Sequence, residues 1–169
     1  MTDSLVQWLT AVLGGKVSAE AVIFIISMIP VLELRGGLLA ASPALLNIPI
    51  WKAVPLCILG NLLPIPFILL LIEKVLDFME QIPYLDRIAL WLRKKADKHK
   101  GKIEAYGFWG LVFFVGIPLP GTGAWTGALV ASRLHMKIRK SVPAILLGIV
   151  LATVIMSLLS YGLLGTLFG

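Results

Sequence analysis

Three stretches of this chain, residues 53–72, 105–132 and 141–169, contain no Asp, Glu, Lys or Arg. Each meets the ~18–20 residues needed to cross ~30 Å of hydrocarbon. A fourth apolar stretch, 21–50, is interrupted only by Glu33 and Arg35. Soluble domains carry about 25% charged side chains, whereas this chain of 169 residues carries 14%, with 59% hydrophobic residues and a mean hydropathy of +0.95. In lipid a helix satisfies its own backbone groups and an open sheet does not. The expected fold is therefore an all-α integral membrane protein forming one domain over 1–169.

The ends and the single cysteine add little. Asp3 comes early and no cation precedes Lys16, which does not match a secretory signal peptide. A short surface helix is predicted instead, with Leu5, Trp8, Leu9 and Val12 on one face. Cys57, inside an apolar span, is read as a packing residue. His99 and His135 lack metal-ligand spacing, and no hydroxyl or thiol has an evident histidine base. Neither enzyme activity, a metal nor a cofactor is expected.

The basic balance has a membrane explanation. Of 15 Lys and Arg residues, eight lie between Lys74 and Lys102 and four between Arg133 and Lys140. These flank apolar spans without a nucleic-acid recognition fold, so the expected partner is membrane lipid and not nucleic acid. The cationic rule places 74–104 and 133–140 in the cytoplasm, with the protein multi-pass in the inner cell membrane. Tyr84, Ile88, Trp91, Leu92 and Lys95 recur at helical spacing beside Arg87, Arg93, Lys94 and Lys98, predicting an amphipathic cytoplasmic linker over about 76–104 that lies on anionic lipid.

An internal repeat organises the rest. Ile29-Pro30 recurs 88 residues later as Ile117-Pro118, and the run from Ile50 to Gly60 recurs from Ile138 to Gly148, matching Lys52 with Lys140, Pro55 with Pro143 and Gly60 with Gly148. Chance agreement among apolar residues does not readily place a lysine, two prolines and a glycine in one frame. Repeat one spans about 17–75 and repeat two about 105–163. The segment before Lys140 is basic and its counterpart before Lys52 is not, so the repeats should be inverted about an axis in the membrane plane.

Each repeat opens with a stretch that must begin and end on one side yet is too short for two spans. Pro30 with Gly36 and Gly37 breaks the first; Gly116, Pro118, Pro120, Gly121 and Gly123 break the second. The expected unit is a re-entrant, broken-helix hairpin plus a transmembrane helix, with tips meeting near the midplane. Broken backbone at that depth must be buried in protein or line a wet cavity, which points to transport.

Glu33 and Arg35 are the charges inside these stretches, and such a group costs at least ~2.5–3.5 kcal/mol on insertion scales. Two residues apart, they are too close to pair across a helical turn. The functional reading gives Arg35 an anion, aided by backbone N–H groups of Gly36 and Gly37 at a half-helix start, with Glu33 as proton carrier or counter-charge. The bland reading is an ion pair holding the tip. Across from them, Pro120, Gly121, Thr122, Gly123 and Trp125 offer donors, a hydroxyl and an indole, although Gly123 and Gly127 also have the spacing of a close-packing surface. Asn61 either lines the path or bonds a neighbouring helix.

The motifs Glu33-Leu34-Arg35-Gly36-Gly37-Leu38-Leu39-Ala40-Ala41 and Pro118-Leu119-Pro120-Gly121-Thr122-Gly123-Ala124-Trp125-Thr126-Gly127 resemble those of the small multidrug export family, over nearly the whole chain. That family is similar to the DedA membrane proteins, and the resemblance implies two opposed re-entrant hairpins, movement of an undecaprenyl-phosphate-like lipid, and coupling to protons through intramembrane acidic and arginine residues. Glu33 and Arg35 would fill those roles. DedA proteins associate an arginine with the second hairpin; here that tip is neutral and Arg133 stands nearest. The expected function is a transporter of a small anion or anionic lipid head group, coupled to protons. Alternatives are a drug or cation exporter that uses Glu33, and a membrane scaffold or scramblase without coupled transport. A homodimer is expected, because so small a bundle shields two polar tips poorly.

Overall fold

The computed structural model describes residues 2–13, 17–119 and 121–163, and every regular element among them is helical. Helix α1 (Thr2–Leu13) precedes a hairpin of two short helices, α2 (Ala19–Met28) and α3 (Glu33–Ala41). Two longer helices follow, α4 (Ile50–Leu62) and α5 (Ile65–Glu80), joined through Leu63 and Pro64 into one apolar stretch of 31 residues. Helix α6 (Asp86–Gly116) is interrupted at Gly107, whose φ of 54° and ψ of −121° lie outside helical space. Beyond it come α7 (Ala124–Arg133) and α8 (Ile138–Ser157), and the chain from Leu158 to Leu163 widens into a π-helical turn.

Two pairs of successive helices pack as hairpins. Helix α2 packs on α3, and the end of α6 packs on α7. Ser18 caps α2 by accepting the Ala21 N–H at 3.3 Å, and Glu20 favours its N-terminal dipole. The turn between α2 and α3 holds Val31 at φ 84° and Glu33 at φ 51°, left-handed values that are costly without a glycine.

The 88-residue offset recurs in the backbone and in the packing. Asn47 and His135 both have left-handed φ, 48° and 51°, just before α4 and α8. Ile48 N–H donates to the Ala41 carbonyl at 2.9 Å, and Met136 N–H to the Ala131 carbonyl at 3.0 Å, with donors 88 residues apart and acceptors 90. A Cβ on Gly60 would lie 2.6 Å from the Phe24 carbonyl oxygen and 3.0 Å from Ser27 Cβ; on Gly148 it would lie 2.9 Å from the Val112 carbonyl oxygen and 2.6 Å from Val115 Cβ. Residues 24 and 112, and 27 and 115, are the same 88 apart. In each unit, therefore, glycine lets the following long helix lie directly on the backbone of the hairpin's first arm.

One difference from expectation stands out. In α1 the buried side chain is Val6, with Leu9 packed beside it, while Trp8 and Val12 are exposed; the Leu5 side chain lies outside the described residues. The expected end of the linker near 104 falls within α6, three residues before its break at Gly107. Ala89, Ala96 and Ile103 of that helix are buried, although Ile88 and Trp91 remain about half exposed.

The long helices stay apolar on the outside. Only 28% of the most apolar window in 50–80 and 39% of that in 138–162 is buried. Phe67, Leu70, Phe78, Val150 and Val154 are exposed. A soluble core helix of this composition would be covered, so these faces belong against lipid.

Candidate functional site

Two broken segments face each other at the centre of the site. The first tip spans residues 29–33, and the second spans 117–123, where Gly121 (φ 83°) and Gly123 (φ 139°) take conformations that other residues rarely adopt. Pro120 of this tip lies outside the described residues.

Glu33 and Arg35 cross from the first hairpin to the second. The Glu33 carboxylate accepts the Ala124 N–H at 2.9 Å and the Trp125 N–H at 3.1 Å, and so occupies the N-terminus of α7. An anion is favoured there by the unpaired amides and by the helix dipole. Gly123 makes this approach possible, since a Cβ would lie 2.2 Å from Glu33 Oε2. Arg35 donates to the Leu119 carbonyl at 2.7 Å, the Ile117 carbonyl at 3.3 Å and Thr122 Oγ1 at 3.1 Å. The Trp125 indole returns a contact, donating to the Met28 carbonyl at the end of α2 at 3.2 Å.

Among the described residues no ion pair joins Glu33 to Arg35. The tip is held instead by charges bonded to backbone groups of the opposite tip. The free amides expected beside Arg35 are also differently placed. Gly36 N–H donates to the Leu32 carbonyl at 2.8 Å. A Cβ on Gly36 would meet Leu32 Cβ at 2.8 Å, and on Gly37 Ser27 Oγ at 2.0 Å, so both glycines serve the contact of α3 with its surroundings. The amides that meet a carboxylate are those of α7.

A cavity of about 310 Å³ opens at this junction, with Glu33, Arg35, Lys95, Thr122 and Thr126 supplying its polar lining. Gly121 lines it as well, while Gly36, Gly37, Gly123, Asn61 and Trp125 do not. Trp125 borders a smaller neighbouring pocket. Asn61 is buried in α4 with its Oδ1 unpaired. The residue that motif reading missed is Lys95. Its ammonium sits 5.2 Å from the Trp91 ring centroid, and its place in an amphipathic pattern suggested only a lipid-facing cation. The signal available was that Leu92 and Lys95 share a helical stripe with Trp91, and both are partly buried at this end although Trp91 is exposed.

Arg133 belongs to a different cluster. Arg93 on α6 binds Glu73 at 2.9 Å, Glu80 at 2.6 Å and Asp77, three acidic residues along one face of α5. Arg133, at the end of α7, lies 3.6 Å from Glu73 and 3.5 Å from Asp97. Desolvation works against the Arg93 charge, but Glu80, Glu73 and Asp77 outweigh it and hold the guanidinium pKa above its ordinary value. The end of α7 and the helix after Asp86 are thus tied to one another away from the tips.

No curated protein and no solved structure matched the chain. A family model matches residues 33–155, a segment that begins at Glu33 and takes in Arg35, Lys95 and the whole second tip, so the chain belongs to the family described as "Putative small multi-drug export protein".

Proposed function

We propose that this membrane protein is a transporter whose substrate presents an anionic group to the cavity between the two tips. One observation carries the reading: Arg35 and Lys95, from separate segments, converge on a cavity with a single carboxylate, Glu33. The bonds Arg35 makes leave part of its guanidinium donor set for a ligand. Helices α2, α3 and α7 have 10, 9 and 10 residues, lengths of about 15 Å that reach halfway through ~30 Å of hydrocarbon. We take the hairpins as re-entrant from opposite faces, in inverted repeats. Similarity to DedA proteins extends the substrate to a lipid phosphate of the undecaprenyl phosphate kind.

Glu33 is the proposed proton site. Protonation would remove its charge and turn one oxygen into a donor, weakening the hold on the Ala124 and Trp125 amides. A coupling proton could thereby free α7 from the first tip. The alternative, a cation or drug exporter using Glu33, is favoured by the family description. It would require the cation to compete with two amides already bound to that carboxylate.

Flux into liposomes separates these readings. Arg35→Ala should lower uptake of an organic phosphate at least about tenfold, the loss of one charge-assisted contact. Glu33→Gln should abolish its dependence on a pH gradient. Cation flux that needs Glu33 and ignores Arg35 would establish the exporter instead. Flux indifferent to both changes would leave the scaffold or scramblase reading.

A further inference from the structure

Glu73 and Tyr161 stand 88 residues apart, the offset of the repeat, and each reaches from its own unit's long helical stretch into the other unit. The Tyr161 hydroxyl lies 2.8 Å from the Ile48 carbonyl and 3.2 Å from the Ala41 carbonyl, so one proton is shared between two acceptors. These carbonyls bound the loop after α3, which the Ile48 N–H closes on Ala41. The Glu73 carboxylate lies 3.6 Å from Arg133, the last residue of α7, within the loop that the Met136 N–H closes on Ala131. Whole helices repeat the exchange, with α8 packed against α3 and α5 against α7.

Both second arms are therefore held at two ends by the opposite unit. Near the tips, Arg35 on α3 bonds the second tip, and Glu33 holds the first amides of α7. At the outer ends, Tyr161 holds α3 and Glu73 holds α7. The outer holds share no residue and differ in chemistry. One is a neutral hydroxyl on carbonyls. The other is ionic, with the Arg133 and Glu73 side chains 32% and 28% exposed, so salt screens it.

We infer that Tyr161 and Glu73 are equivalent latches, each holding closed the outer end of the other unit's hairpin arm, so that α3 and α7 are released one at a time. Because the holds have no residue in common, either opens without the other. Arg93, 2.9 Å from the same carboxylate, fixes Glu73 in position for Arg133. What release achieves rests on the transport reading. In the opposed arrangement proposed above, the latches would lie at opposite faces of the membrane, and opening one would connect the cavity to that face alone.

Amide hydrogen exchange on the full protein in nanodiscs tests the latches without any substrate. Tyr161→Phe deletes only the hydroxyl and should speed exchange across 41–48 by about three- to tenfold, the loss of one hydrogen bond, with 131–136 unchanged. Glu73→Gln should speed exchange across 131–136 by roughly two- to fivefold, as an exposed ion pair allows, and spare 41–48. In the wild type, raising sodium chloride from about 0.05 M to about 1 M should reproduce the second pattern and not the first. A segment that responds to the other latch's variant, or salt that acts on both segments alike or on neither, overturns separate latches. Should a variant misfold, the wild-type salt response still decides. Separate exchange responses together with no flux of an organic phosphate in liposomes would leave the latches standing and sink the transport reading.

Discussion

At the first tip the chain turns within residues 29–33 and carries Glu33 and Arg35 forward on α3. At the second it takes a longer path through 117–123, with two left-handed glycines and no charged side chain. Yet the second tip is as polar as the first once its backbone is counted. Its carbonyls at 117 and 119 face Arg35, and its amides at 124 and 125 face Glu33. A broken segment exposes the groups that a helix would pair internally. One hairpin therefore answers the other's charges without charges of its own, and the repeat can diverge in sequence while its halves remain complementary.

Removing the charged half of this lock should have the largest effect. Glu33→Ala leaves one buried and one partly buried amide unpaired and Arg35 without a nearby counter-charge, and should cost about 4 kcal/mol, with Glu33→Gln costing less because one acceptor oxygen remains. Thermal unfolding in detergent measures both, and equal stability of Ala and wild type would break the idea of complementary tips. Next comes the neutral half. Gly123→Ala puts a Cβ 2.2 Å from Glu33 Oε2, at φ 139°, and should cost about 3 kcal/mol. Gly121→Ala, also left-handed but with open space around it, should lose only about 1–2 kcal/mol from backbone strain. Similar losses at the two glycines would mean that strain, and not the carboxylate, governs this loop.

The gentlest test asks whether the two units face opposite ways. Cysteines replacing the exposed Ala44 and Lys137, before α4 and α8 respectively, should react with impermeant reagents from opposite sides of sealed vesicles. Stability should be unaffected. Labelling from one side would end the inverted arrangement and leave two like-oriented units.

Much of the architecture was legible. Charge-free runs located the long helices, proline and glycine located the two breaks, and the 88-residue offset matched Gly60 with Gly148, which make equivalent close contacts in the structure. Glu33 and Arg35 stood out because ionisable groups in apolar chain are costly. Their partners did not, since main-chain amides and carbonyls are common to every residue, and only an interrupted helix makes particular ones available. Lys95 was hidden for another reason: an amphipathic stripe reads alike whether it meets lipid or the rest of the protein.

The sequence by itself determined that the chain is helical, rich in long apolar runs, self-similar at an offset of 88 residues, and marked by two charges at a break. Those properties follow from hydropathy, backbone-restricting residues and self-similarity, all local or periodic. Tertiary structure alone decided that the charges are held by the opposite tip and that Lys95 joins them. Each depends on bringing together segments some 60 to 90 residues apart, and the groups that meet there are chosen by docking of the two hairpins rather than by any spacing along the chain.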